Sequence, residues 1–410
     1  MTAKYNLPPG WKWVKLSEVL VSIENGSRPK GGVSHIKEGI PSIGAEHLTA
    51  YGKFNFSNLR FISKEFYESI RNGKISKGDV LIVKDGATTG RVAFVGDDFP
   101  FCDAAINEHV FRLRGNSLLY QEYLFYFLYS PLGQEQIKDE FHGSTQGGIN
   151  QKFANEVIIP IPPLSEQKRI AKKLKVIMDE IDKARASCEK QLEAAKALPS
   201  AYLREVFESP EAQKWERKKL SEVCEYAQYG LTISEFSDKV GYPLIRITDI
   251  DDFGKININN IKYVTCSEEV LKKYRLKEGD ILFARTGSIG RSFLYTGNPS
   301  NAVFASYLIR FMPKKTIVDP YYLFYYTHSQ EYFAFIEEKK HAVSQPNINA
   351  EEFKTLFVPL PPLSEQKRIV EYLKEKISQA EKLRETLEKG LEAINSLPQS
   401  ILSKAFKGEI

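Results

Sequence analysis

"PPLSEQKRI" runs from Pro162 to Ile170, and the same nine letters return from Pro361 to Ile369, 199 positions later. A core-packing requirement tolerates conservative swaps, so an unbroken identity marks a duplication whose halves kept one shared task. Other echoes keep the same order. "WKWVKLSEVL" from Trp11 matches "WERKKLSEVC" from Trp215, and "KGDVLIVKDGATTGR" from Lys77 matches "EGDILFARTGSIGR" from Glu278. "YLFY" at Tyr123 returns at Tyr322, "GGIN" ending at Asn150 is answered by "PNIN" ending at Asn349, and "LPSAYLREVF" from Leu198 pairs with "LPQSILSKAF" from Leu397. The repeat is a long duplication, not a solenoid with a period of tens of residues.

Each copy has two parts. Residues 1–162 and 208–361 mix short β-rich runs ("DVLIV", "RVAFVG", "HVFRLR"; "DILFAR", "SFLYTG", "YLIRF") with Gly, Asn and Asp punctuation, and helical stretches such as "SLLYQEYLFYFLYS" follow. These read as α+β domains. Residues 163–207 and 362–410 read as helical spacers. The lead-ins "IPIPPL" and "VPLPPL" are expected to act as stiff hinges that continue neither strand nor helix. Ser165 and Ser364 stand where an N-cap belongs, with Glu166 and Glu365 favourable in the first turn and no reciprocal capping box.

From there Ile170, Leu174, Ile177, Ile181, Ala184, Cys188 and Ala195 fall at alternating four and three spacing, interrupted at Gln191. Ile369, Leu373, Ala380, Leu383, Leu387, Ile394 and Leu397 follow the same rhythm, broken at Lys376 and Gly390. A narrow heptad seam on a mostly polar helix needs a partner, and the twin helix is the matching one. The expected fold is α+β: two pseudo-two-fold-related domains separated by two long antiparallel coiled-coil helices. From Ser165 to Leu198, 34 residues give roughly 50 Å, more than the roughly 34–36 Å of one B-DNA turn.

The bulk numbers agree with a folded, multidomain chain. It has 410 residues, 42% hydrophobic and 12% aromatic, with a net charge of +5, a mild excess that hints weakly at a polyanion. Cys102, Cys188, Cys224 and Cys266 form no C-x-x-C or zinc spacing and read as free thiols of a reducing cytosol. With no long apolar run and no signal peptide at the start, the expectation is a soluble cytoplasmic protein.

With "PPLSEQKRI" twice, each copy opening a heptad helix after a "GD[VI]L…G…GR" domain, the whole chain resembles the DNA-specificity subunit of type I restriction–modification enzymes. The resemblance implies two target-recognition domains that bind a bipartite, asymmetric double-stranded DNA site. It also implies that the helical regions dock two modification (methyltransferase) subunits and, through them, restriction (translocase/nuclease) subunits. No cofactor is then expected on this chain. S-adenosylmethionine would belong to the methyltransferase, and ATP and Mg to the restriction subunit. Identical partners need similar surfaces, so Ser165, Glu166, Gln167, Lys168 and Arg169, repeated as Ser364, Glu365, Gln366, Lys367 and Arg368, are the expected docking set.

Phosphate neutralisation gives affinity for DNA and base edges give specificity. Candidate contacts are therefore polar and basic residues in glycine-containing loops. The first domain offers Ser27, Arg28, Lys30, Lys84, Thr88, Thr89, Arg91, Ser144, Thr145 and Gln146. The second offers Thr232, Ser234, Arg246, Arg285, Thr286, Ser288, Arg291, Ser344, Gln345 and Asn347. Arg91 and Arg291 recur in both copies, which favours phosphate contact or a structural role. Arg28 against Thr232, and Lys84 against Arg285, differ and could carry sequence choice.

Enzyme signatures fail. "GATTGR" lacks the spacing and Gly-Lys-Ser/Thr of a phosphate loop. The Pro-Pro pairs follow Ile and Leu rather than the polar residue adenine methylation needs. Asp319 with Glu337 and Lys339 reads as helix, not nuclease. The six histidines, including the matched His142 and His341, show no metal spacing. No catalytic and no metal-binding residue is expected. The rivals are a stand-alone DNA-acting enzyme and a coiled-coil scaffold with two non-DNA recognition modules.

Overall fold

A computed structural model describes residues 6–34, 36–142, 147–232, 236–237, 240–251, 253–340 and 347–410. The chain forms two compact units, residues 1–189 with 389–410 and residues 190–388. Each contains one α+β domain, the start of the helix that follows it, and the end of the other long helix.

The two domains share one topology. In the first unit, strand Lys12–Lys15 pairs antiparallel with Ile158–Ile161, closing the domain at its base. A four-stranded sheet runs in the order Leu20–Asn25, Val110–Gly115, Val80–Val83, Val92–Phe94. A three-stranded sheet has Ile40–Ile43 between Arg60–Ile62 (antiparallel) and Ala105–Ile106 (parallel). The second unit repeats this order with Glu216–Lys219 on Phe357–Leu360, then Cys224–Tyr229, Leu308–Pro313, Ile281–Ala284 and Ser292–Leu294, and a three-stranded sheet centred on Tyr242–Ile245. Val80–Val83 and Ile281–Ala284, from the "GD[VI]L" echoes, are wholly buried. Buried on both faces, such strands read as continuous apolar runs instead of alternating ones.

The aspartates of the same motif are structural. Asp79 accepts from the Ser76 amide at 2.7 Å and from Arg114 Nε at 2.6 Å, while Asp280 accepts from the Lys277 amide at 2.8 Å and faces Arg310 at 3.4 Å. Burial still pushes the Asp280 carboxyl above its ordinary range. A buried carboxylate aimed at backbone amides and an arginine is how an ionised group is tolerated in a core.

Both proline-rich lead-ins depart from expectation. Pro160 and Pro359 lie within strands, opposite Trp13 and Arg217. An edge strand tolerates proline because its outward N–H is not needed for pairing. Their carbonyls accept from the buried hydroxyls of Tyr123 and Tyr322, both at 2.7 Å. The helices also begin one residue before each serine, at Leu164 and Leu363. Pro163 and Pro362 carbonyls receive the first helical amides, so Ser165 and Ser364 are not N-caps.

Each long helix has 44 residues, Leu164–Phe207 and Leu363–Phe406, and runs through Pro199 or Pro398 instead of stopping at Leu198. At 1.5 Å per residue this is about 66 Å. In the first unit Arg185 Nε donates to Asn395 Oδ1 at 2.8 Å and Arg169 Nη2 to the Ile410 carbonyl at 2.8 Å, so the paired segments run antiparallel. In the second unit the end of one helix again meets the start of the other, with Tyr372 Oη donating to Glu205 at 2.8 Å. Phe406 packs edge-on to Tyr123 and Phe127 in the first core, and Phe207 lies against Tyr322 and Tyr326 in the second. That explains the "VF" and "AF" ends of the last echo.

The buried stripe differs from the heptad reading at alternate positions. Ala184 and Gln191 are exposed, and Arg185 and Leu192, each 8% exposed, take their places. Leu383 and Leu397 are likewise exposed, beside a half-buried Arg384 and a buried Pro398. The shift has a local cause at Arg185, whose guanidinium is covered by the Tyr51 ring of the recognition domain at 4.3 Å.

Candidate nucleic-acid interface

One end of each four-stranded sheet gathers the glycine loops. Gly26 follows Leu20–Asn25, and a Cβ there would lie 2.1 Å from the Asn107 carbonyl; Gly230, in the matching place, would meet Ala305 at 2.2 Å. Only glycine lets these loops cross the neighbouring backbone so closely. In the first unit Lys84 receives backbone pairing from both sides: its N–H donates to His109 O at 2.9 Å and its carbonyl accepts from Ile149 at 2.7 Å. Arg285 repeats this with Tyr307 O at 3.1 Å and Ile348 N at 3.0 Å. The loops are therefore equivalent, and their side chains are not.

In the first unit the charges form a chain. Arg28 pairs with Glu108 at 3.2 Å, Glu108 lies 3.6 Å from His109, His109 bonds Asp85 at 2.6 Å, and Lys84 sits 3.8 Å from Asp85. Ser27, Arg28 and Lys30 are exposed; Lys84, Thr88 and Thr89 are half-buried, and Thr89 Oγ1 donates to the Gly86 carbonyl at 2.7 Å. In the second unit Arg285 lies over the Tyr229 ring at 4.9 Å and donates to Asn347 Oδ1 at 3.2 Å. Exposed Tyr307 stands beside it, Thr232 is exposed, and Thr286 and Ser288 are half-buried. The reading from residue types missed Asp85, Glu108, His109, Tyr229 and Tyr307. Their signal was available in the mismatch of aligned positions: His109 answers Tyr307, and Asp85 answers Thr286.

Three arginines are otherwise engaged. Arg246 is a closed fork on buried Asp249, with 2.6 and 3.0 Å bonds, so its planar face is not presented as a free base reader. Arg91 Nη1 donates to the Leu48 carbonyl at 3.3 Å and Arg291 Nη1 to Ile250 O at 3.0 Å, which favours the structural role for this recurring pair. Ser144, Thr145, Gln146, Ser234, Ser344, Gln345 and His341 lie outside the described residues.

The repeated nonapeptide separates into two classes. Gln167 is fully buried: its amide donates to Leu118 O at 2.9 Å and Pro162 O at 3.0 Å and accepts from Tyr120 N at 2.8 Å. Gln366 does the same with Ile317 O, Pro361 O and Asp319 N. These glutamines clamp helix to domain, and burial removes them from the docking set. Ser165, Lys168 and Arg169 are exposed, as are Ser364, Lys367 and Arg368. Glu166 and Glu365, half-buried, grip the arginine three residues on in bidentate pairs of 2.6–2.9 Å. Those hydrogen bonds hold both carboxyls below their ordinary range.

Asp319 caps the helix Pro320–Tyr326, accepting from the Tyr321 and Tyr322 amides. Among the described residues no group of three or more His, Cys, Asp and Glu could hold a metal ion, and no helix is long and apolar enough to cross a membrane.

Against known proteins, the family model for the type I restriction modification DNA specificity domain matches residues 8–193 and again 212–393. The chain belongs to this family. Over 425 aligned residues it is 27% identical to the EcoKI specificity subunit of Escherichia coli K12, covering 98% of this chain and 90% of that one. A putative MjaX specificity subunit of Methanocaldococcus jannaschii is 37% identical over 49% of this chain and 47% of its own length. In fold, the specificity-family chain superposes on a component of a solved type I R-M system with a TM-score of 0.77 at 23% identity, covering 99% of this chain and 100% of that one. For the HsdS subunit from Thermoanaerobacter tengcongensis the TM-score is 0.63 at 23% identity, with 100% and 99% covered.

Proposed function

We propose that this chain is the specificity subunit of a type I restriction–modification complex, and that its two recognition domains bind the two unlike halves of one double-stranded DNA target. The observation that carries this is the pairing of sameness and difference: two domains of one topology whose sheet-end loops present unlike side chains, Arg28–Glu108–His109–Asp85–Lys84 against Arg285 with Tyr229 and Asn347. Two modification subunits dock, one on the face carrying Ser165, Glu166, Lys168 and Arg169 and one on its twin carrying Ser364, Glu365, Lys367 and Arg368, and restriction subunits join through them. The chain itself is not catalytic. S-adenosylmethionine is bound by the methyltransferase, and ATP and Mg by the restriction subunit.

The test is the purified chain with labelled S-adenosylmethionine and DNA, alone and with its modification subunits. Methyl transfer requires the partner, and binding falls steeply with salt as phosphate contacts release counterions. Transfer by the chain alone would make it an enzyme. Binding indifferent to sequence and salt would make it a scaffold.

A further inference from the structure

One more feature recurs at matching places while the recognition domains around it have diverged. In the first unit the turn Thr49–Lys53 folds on its own side chain: Thr49 Oγ1 accepts from the Tyr51 and Lys53 amides at 3.3 and 3.2 Å. In the second, Asp251 Oδ1 accepts from Phe253 and Lys255 at 2.9 and 2.8 Å. Both turns carry aromatic-Gly-Lys, and both glycines have φ of +72°. A Cβ at Gly52 would meet Phe125 at 2.9 Å, and one at Gly254 would meet Phe324 at 2.7 Å. The lysines then reach the long helices. Lys53 pairs with Asp182, and Lys255 with Glu381 at 2.6 Å. Asp182 also accepts from Arg185 at 2.7 Å.

The root of each turn is equally connected. Leu48, one residue before the first turn, accepts from Arg91, which closes the glycine loop beginning at Lys84; Ile250, one residue before the second, accepts from Arg291, which closes the loop beginning at Arg285. A continuous line of bonds thus runs from candidate reading loop to arginine, turn, lysine and helix acid in both units. Behind each turn lies a cleft between domain and helix, about 1010 Å³ in the first unit and about 830 Å³ in the second. The turn, packed through its glycine on Phe125 or Phe324, lines the rim of that cleft, and its lysine reaches from there to the helix acid.

We infer that Lys53–Asp182 and Lys255–Glu381 are struts that set the angle of each reading loop on its helix, making these four side chains positioning residues for half-site recognition. The inference rests on the specificity reading above. A plain structural contact stabilises the fold uniformly; a strut acts selectively on the loop it supports and on the half-site that loop reads.

The test uses the full chain with Lys53→Glu, Asp182→Lys and the double exchange, and the same set at Lys255 and Glu381. Native-state hydrogen exchange is read first, without DNA. Each single reversal speeds exchange in residues 84–91, or 285–291, and the double exchange returns it towards the parent rate. Binding to duplexes carrying the methylated motif is read second, with each half scrambled in turn. The Lys53 and Asp182 reversals reduce discrimination at one half about tenfold, in the range of a lost base contact, and leave the other half unchanged.

Loop exchange unchanged in every single variant overturns the strut whatever the DNA result. Equal weakening at both halves, or a lowered melting temperature with discrimination intact, also overturns it, because that is the signature of a structural pair. A parent chain that shows no sequence discrimination while the loop exchange responds refutes the specificity reading and leaves the mechanical link standing.

Discussion

Arg285 is held between an aromatic face and an amide before any DNA arrives, stacked on Tyr229 and bonded to Asn347. A guanidinium fixed in this way loses little freedom on meeting a guanine edge or a phosphate. Replacing it with alanine is predicted to lower discrimination at one half-site by about tenfold, the scale of a lost bidentate base contact, with the other half untouched; affinities on half-scrambled duplexes measure this. Uniform weakening across all duplexes would instead make Arg285 a phosphate contact. At this scale the sequence was only partly legible. Glycine loops with basic residues pointed to Arg28, Lys84 and Arg285. They could not separate Arg246, closed on a buried aspartate three residues on, from an arginine that is presented. Phosphate contact and a structural role both fit a recurring Arg91, and its bond to the Leu48 carbonyl is invisible in the letters because a backbone acceptor leaves no mark there.

At the scale of elements, the nonapeptide divides into buried and exposed side chains. Gln167 is a buried clamp, and Gln167→Ala leaves the Tyr120 amide and two carbonyls without their partner, a cost of about 1–3 kcal/mol for a buried unsatisfied group. Lys168→Ala changes stability by under about 0.5 kcal/mol, as surface positions do, and weakens association with the modification subunit. Thermal melts and a pull-down with that subunit separate the two, and the opposite assignment would refute the division of roles. Periodicity revealed both long helices and their need for partners. Its stripe falls one residue early at alternate positions, and at one of them the cause is a contact outside the helix, the Tyr51 ring that covers Arg185. The expectation that the lead-in prolines continue no strand holds for a central strand and fails at an edge where the N–H points outward.

For the whole molecule, the repeats made the fold class and the family readable from the letters, since a duplication this long leaves its order intact even where the domains diverge. Helix extent was less readable: the rod length taken from Ser165 to Leu198 falls short, since both helices run through Pro199 and Pro398 to a phenylalanine that anchors their ends, Phe207 and Phe406. Two rods of fixed length give the account its central claim, that reach along the duplex is built into the helices. The most direct measurement is the methylated motif in cells carrying the parent chain or a variant with four residues inserted at matching positions of both long helices. The account predicts a bipartite motif whose two halves are unchanged and whose spacer grows by about two base pairs, four helical residues adding about 6 Å. An unchanged spacer, or a single uninterrupted motif in the parent, contradicts it.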